Sequence, residues 1–200
     1  MLVTDYLNSA REAFSKLSEQ HETITQTGNT IAERARNGSR VFVMDRSDII
    51  LKELVNHPQG LMLFHSFSQR GNDMSSGDIF ILGTLNGSDD EDATLINTAR
   101  EIGAYTVVIG PPGETASLAD TAIVNTSDPD SGILTLTGME QKFGPVSGVT
   151  NAALAWCLAA ETVSAFLKAG ETPAINYGEY VVDGADMYNE QRRLFLSRGY

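Results

Sequence analysis

Apolar and small residues recur at helical spacing through the start of the chain: Leu7, Ala10, Phe14, Leu17, Ile24, Ile31 and Ala35, with His21 on the same stripe. The spacing predicts helix over 4–36, divided in two at Gly28 and stopped by Asn37-Gly38. From residue 40 the pattern changes. Short apolar runs bounded by polar residues predict five buried strands, at 40–44 (RVFVM), 60–64 (GLMLF), 78–82 (DIFIL), 104–109 (AYTVVI) and 121–124 (TAIV). Between them the sequence predicts a helix over 47–56 ending before His57-Pro58, and a polar loop over 66–76. A helix over 89–102 opened by acidic residues and a short helical turn over 114–118 follow. Strands alternating with helices in this way imply right-handed crossovers, a parallel sheet and an α/β fold.

Beyond the last strand, Asp128-Pro129-Asp130-Ser131-Gly132 reads as a loop. A long apolar helix is expected over 147–169, stopped by Gly170 and Pro173. Its apolar residues, among them Leu154, Trp156, Leu158, Val163 and Phe166, occupy more than one face. The sheet buries one face, and a second subunit is expected on another, making the protein a homo-oligomer. A last helix is expected over 186–197. The whole chain, 1–200, reads as one domain: N-terminal helices over 1–38, an α/β core over 39–170 and a tail over 171–200.

Charge narrows the function. The formal net charge is −12, which argues against nonspecific nucleic-acid binding and against an anionic membrane surface. A phosphorylated ligand would approach against that field, so its site must rely on local backbone donors and hydroxyls. No apolar run approaches the roughly 18 residues that span a bilayer. The opening MLVTDYLNSAREAF lacks a basic-then-apolar signal pattern, so a cytoplasmic location is expected. Three histidines and one cysteine cannot build a Cys/His zinc cluster, and Cys157 reads as a buried core thiol.

In an open parallel sheet, ligands sit outside the carboxyl ends of the strands. Ser47, after the first strand, reads either as an ordinary helix N-cap or as a hydroxyl facing an anion. Its neighbour Arg46 suits a phosphate or carboxylate, and equally the nearby Asp45, Asp48 or Glu53. After the third strand, Thr84-Leu85-Asn86-Gly87-Ser88 offers hydroxyls, an amide and a helix N-terminus, or simply a strand-to-helix turn capped by Ser88. The run Asp89-Asp90-Glu91-Asp92 follows directly. Before the long helix, Glu140 is a carboxylate in a loop, the chemistry of a general base.

Gly138-Met139-Glu140-Gln141-Lys142-Phe143-Gly144-Pro145-Val146-Ser147, the apolar helix and Val182-Asp183-Gly184-Ala185-Asp186-Met187-Tyr188-Asn189-Glu190 together resemble the sugar-isomerase (SIS) domain family. The match runs from the N-terminal helix to Glu190, and these segments look like a group of bacterial phosphosugar isomerases. The order Glu140, Gly144, Ser147 is also similar to the isomerase half of glucosamine-6-phosphate synthase. The resemblance implies a three-layer α/β/α sandwich around a five-stranded parallel sheet, a dimer or larger assembly, a phosphosugar ligand, and neither metal nor organic cofactor. It implies Glu140 as the proton-transfer base and Ser147 as a ligand-contacting cap. Ring opening in related isomerases often uses a histidine. Of His21, His57 and His65, only His65 follows a strand end, which makes it the second catalytic candidate.

The sequence departs from the family in two loops. Gly-x-Gly-His-Ser is expected after the first strand, and Met44-Asp45-Arg46-Ser47 stands there; Ser-x-Ser-Gly is expected after the third, and Thr84-Leu85-Asn86-Gly87 stands there. A carboxylate held about 5 Å from a ligand charge costs on the order of 3 kcal/mol at an effective dielectric of about 20. Three readings therefore stand. In the first, Glu140 and His65 run an aldose–ketose isomerisation on a phosphosugar held by Ser47, Thr84, Asn86, Gly87, Ser88 and Ser147. In the second, the site is a non-catalytic sensor of a carbohydrate derivative. In the third, the chain is a structural dimer.

Overall fold

The computed structural model describes residues 1–126, 132–178 and 183–200. The loop expected at 128–131 and Val182 of the C-terminal motif lie outside the described residues. Two helices, α1 (Leu2–Leu17) and α2 (His21–Arg36), open the chain. They divide at a 3-10 turn over Ser18–Gln20, not at Gly28. Gly28 lies inside α2, where α7 (Ser147–Lys168) passes so closely that a Cβ would sit 2.8 Å from the Glu161 carbonyl carbon. The glycine is there for helix contact, not for a break.

Five parallel strands follow: β1 (Val41–Asp45), β2 (Phe64–Ser66), β3 (Ile79–Gly83), β4 (Tyr105–Gly110) and β5 (Thr121–Val124), in spatial order β2-β1-β3-β4-β5. The connections carry α3 (Ile49–Leu51, continued by a π-turn over Lys52–Asn56), α4 (Phe67–Arg70), α5 (Asp90–Ile102) and α6 (Glu114–Leu118). Successive strand residues face opposite sides and feed two cores. Val41, Val43, Ile79, Ile81, Val107 and Ile109 pack with Ile31, Ile50, Leu154, Leu158 and Phe166 from α2, α3 and α7. Phe42, Phe80, Leu82 and Val108 pack with Ile96, Ala99 and Ala116 from α5 and α6. The result is an α/β/α sandwich. The last helix, α8, spans Gly184–Arg198.

Three local expectations are corrected. The apolar run at 60–64 divides: Met62 N donates to Ala174 O at 3.0 Å, Leu61 bridges Ile175 antiparallel, and only Phe64 onward joins the sheet. The polar stretch 66–76 contains α4 and a 3-10 turn over Gly71–Asp73, because the Phe67 ring packs edge-on against Phe80 with centroids 4.9 Å apart. Cys157 is exposed, beside an apolar groove lined by Phe14, Leu17 and Ile24, so it is not a core thiol. By length and composition α7 would span a membrane, yet Leu154, Leu158 and Phe166 on it are fully buried against the sheet and α2.

Candidate functional site

The helix after β1 packs on one face of the sheet and the helix after β3 packs on the other. In a sheet ordered 2-1-3-4-5, this reversal opens a crevice at the carboxyl ends of β1 and β3. A cleft of about 310 Å³ lies there, lined by Asp45, Arg46, Ser47 and the segment Gly83 to Asn86, with Asp89 and Asp92. Gly83 keeps the two strand ends close, since a Cβ would meet Ile50 Cδ1 at 2.7 Å and Asp45 Cβ at 3.1 Å.

Asp45 organises the first wall. It is 3% exposed, and its carboxylate accepts from Ser47 N (2.9 Å), Ser47 Oγ (2.6 Å) and Ile50 N (2.6 Å). Ser47 therefore caps nothing. The N-cap of α3 is Asp48, in the left-handed region at φ 60°, and Asp45 satisfies the helix amide instead.

The second wall turns on Thr84, whose Oγ1 donates to Asn86 O (2.8 Å) and accepts from Asn86 N (3.2 Å). Beneath it runs a buried amide network. Asn151 Nδ2 donates to Thr84 O (2.9 Å), and Asn125 Nδ2 donates to Asn151 Oδ1 (2.7 Å), Thr150 Oγ1 (2.8 Å) and Ser147 O (3.1 Å). Asn125, Thr150, Asn151 and Thr84 are all at most 2% exposed. The loop is thus tied to the ends of β5 and α7 by groups that sequence reasoning passed over. The visible signal was the polar pair Thr150-Asn151 at the head of an apolar helix.

The anion seat expected at the N-terminus of α5 is already taken. Asp89, not Ser88, is the N-cap, accepting from Glu91 N (3.0 Å) and Asp92 N (3.2 Å). Arg46 closes over it, with Nη1 2.7 Å from Asp89 and 3.2 Å from Glu91. Asp92, 4% exposed, has an Oδ1 with no hydrogen-bond partner among the described residues, 4.0 Å from Arg46. Burial pushes the Asp92 carboxyl above its ordinary value, and the neighbouring Asp89 and Asp45 charges add to that. The cleft holds three carboxylates and one guanidinium.

Of the expected site residues, Ser47, Thr84 and Asn86 meet in this cleft. Gly87 and Ser88 do not line it. A Cβ on Gly87 would be 2.6 Å from Pro111 O, so this glycine serves the contact between two loops. Ser147 is the first residue of α7, not its cap, and is buried with its carbonyl on Asn125. Glu140 is exposed in the loop before α7, and it does not line the cleft. His65, on β2, faces a different cavity. The two catalytic candidates and the Thr84 loop are not brought together within one chain. Among the described residues, no group of three or more His, Cys, Asp or Glu could hold a metal ion.

No family model matches the chain, and no curated protein matches it. Solved structures do. A phosphoheptose isomerase from Francisella tularensis is similar at 14% identity and a TM-score of 0.60, over 80% of this chain and 95% of that one. The Vibrio vulnificus NanR protein, in complex with ManNAc-6P, is similar at 13% identity and a TM-score of 0.61, over 98% of this chain and 69% of that one. With the strand order, the two helical layers and these likenesses in agreement, the chain has the sugar-isomerase (SIS) fold.

Proposed function

We propose that the protein is a carbohydrate-derivative-binding SIS domain whose cleft at the ends of β1 and β3 takes the hydroxyl-rich part of its ligand. The observation that carries this is the lining of that cleft: the Asp89 and Asp92 carboxylates accept, the Asn86 side-chain amide donates, and the Ser47 and Thr84 hydroxyls, whose own hydrogens go to Asp45 and to Asn86 O, accept. Sugar hydroxyls both donate and accept, and suit such a surface. A phosphate suits it less, because the first amides of α5 are held by Asp89 and the Arg46 charge is spent on Asp89 and Glu91.

A second reading has support from the neighbours, one a phosphoheptose isomerase and one bound to ManNAc-6P. In it the ligand is a phosphosugar, Arg46 leaves Asp89 to meet the phosphate, and Glu140 serves as base in an aldose–ketose isomerisation. The exposed apolar residues Leu7 and Phe14 on α1 and Val149 and Leu167 on α7 support a homo-oligomer in either case.

Thermal shift against hexose, pentose and heptose phosphates, each paired with its unphosphorylated form, tests both. A ligand bound by the folded state raises Tm by mass action. Shifts by unphosphorylated sugars, lost in Thr84→Ala, support the first reading. Shifts by phosphosugars alone support the second and call for an isomerase assay of Glu140→Gln. No shift with either set at millimolar ligand overturns both.

A further inference from the structure

A second cavity, of about 340 Å³, opens at the β2 edge of the sheet between α4 and α8. Phe64, His65, Arg70, Tyr188, Arg192 and Phe195 supply its chemistry. Among the described residues none that lines it is acidic, in a chain with 26 Asp and Glu against 14 Lys and Arg. Arg192 makes no ion pair or hydrogen bond among the described residues. Among the described residues Arg70 pairs with Asp73 alone, at 3.8 Å, with both side chains more than half exposed. Such a pair is worth little and yields readily to a better anion.

The His65 ring fixes the floor. It packs at 6.1 Å from the Phe42 ring and edge-on to Phe195 at 5.7 Å. Neither imidazole nitrogen has a hydrogen-bond partner among the described residues. Burial, then the positive charges of Arg70 and Arg40, lower its pKa to about 4, against the opposing pull of Asp78. At neutral pH the ring is uncharged, with one donor and one acceptor nitrogen to offer. Two arginines that lack strong partners, a neutral imidazole and aromatic walls form a site with a polar, cationic end and an apolar body.

We propose that this cavity binds a small anion carrying a ring or apolar body, its phosphate or carboxylate held between Arg70 and Arg192 and its body against Phe64 and Phe195. The site is separate from the cleft at β1 and β3 and shares no lining residue with it. Guanidinium groups recognise planar carboxylates and phosphates through paired, charge-assisted hydrogen bonds. Aromatic walls add affinity that a bare inorganic ion cannot use.

Titration calorimetry with phenyl phosphate, benzoate and inorganic phosphate tests this, with the His65 imidazole signals followed by NMR in parallel. Phenyl phosphate or benzoate is expected to bind more tightly than inorganic phosphate and to raise the His65 pKa. The stronger of the two identifies the anionic group. Arg70→Ala with Arg192→Ala should weaken binding by about tenfold or more. Arg192→Lys should keep part of it, and Thr84→Ala should leave it unchanged. Both arginines are exposed, and unchanged circular dichroism of the variants establishes that they fold. Absence of binding at millimolar ligand, equal binding by the double variant, or loss in Thr84→Ala would overturn the proposal.

Discussion

Two cavities of nearly equal size, about 310 and 340 Å³, lie at the same sheet and have opposite chemistry. The cleft between β1 and β3 carries three carboxylates around one arginine, and its walls are fixed from below by buried hydrogen bonds. Among the described residues the cavity at the β2 edge has two arginines and no carboxylate, and its charged groups stand on exposed side chains. The first is a product of topology, since the reversal of helix faces opens a crevice in any sheet of this order. The second depends on where the C-terminal helix lands. A fold-level likeness therefore speaks to the first cleft and is silent on the second.

The largest effect should come from the support of the first cleft. Asn151→Leu removes the side-chain donor to Thr84 O in a region closed to water, while Asn125 Nδ2 keeps Thr150 Oγ1 and Ser147 O. An unmet buried polar group costs about 1–3 kcal/mol. Chemical denaturation should show a loss of about 1–3 kcal/mol, together with loss of sugar-induced thermal shift. Arg70→Ala and Arg192→Ala should each stay within about 0.5 kcal/mol of the parent. Comparable losses at both places would erase the contrast between a built cleft and a surface cavity.

How much of this was legible follows from the range of the forces. Strand positions came from runs such as VFVM and IFIL, because burial on both faces of a parallel sheet leaves a local apolar signature. The β2 strand slipped because Leu61 satisfies its backbone with Ile175, over a hundred residues away, which no local pattern records. Thr84 and Asn86 were found because a loop after a strand is a local feature. Asn125 and Asn151 were missed because their meaning exists only once β5 and α7 are adjacent. The acidic run was visible, but the choice of Asp89 over Ser88 as cap rests on loop geometry, and its pairing with Arg46 comes from another loop, neither of which a local pattern records. Gly28 misled for the same reason: close contact with α7 and a helix break look identical in one dimension.

Histidine offers the next test, on the second cavity. His65 is held neutral in the folded state with a pKa of about 4, below its ordinary 6.5. The unfolded chain therefore takes up a proton first as pH falls. The stability that His65 contributes is complete above about pH 6.5 and is lost as pH drops toward 4. Denaturant midpoints of the parent should fall more steeply over that window than those of His65→Leu. Parallel slopes would mean that the ring is solvated and the cavity less enclosed than its aromatic contacts indicate.

Asp92 carries the opposite sign. Its folded-state value is raised, so the folded protein keeps a proton that the unfolded chain has released, and the ionised form costs stability at neutral pH. Asp92→Asn should raise Tm by a few degrees at pH 7. The gain should shrink as pH approaches the ordinary carboxylate range near 4, where the parent is protonated as well. A lower Tm at pH 7 would show that the Arg46 contact at 4.0 Å outweighs the burial of the carboxyl.

The smallest effect on stability, and the sharpest on function, belongs to Arg46. Its guanidinium is 44% exposed, so its pairs with Asp89 and Glu91 are worth under about 1 kcal/mol and weaken with salt. Arg46→Gln should barely move Tm, because Asp89 still caps α5 through Glu91 N and Asp92 N. Its consequence lies in what the cleft selects. If Arg46 is committed to the acidic wall, its loss makes the cleft more negative, yet a neutral sugar should bind within about threefold of the parent. If Arg46 instead turns to a phosphate, phosphosugar affinity should fall by about tenfold or more while neutral sugars are spared. Calorimetry of the parent and Arg46→Gln with one sugar and its phosphate thus separates an arginine that neutralises the protein from one that recognises the ligand. That choice decides whether the acidic run at α5 excludes phosphate or merely holds its counterion in waiting.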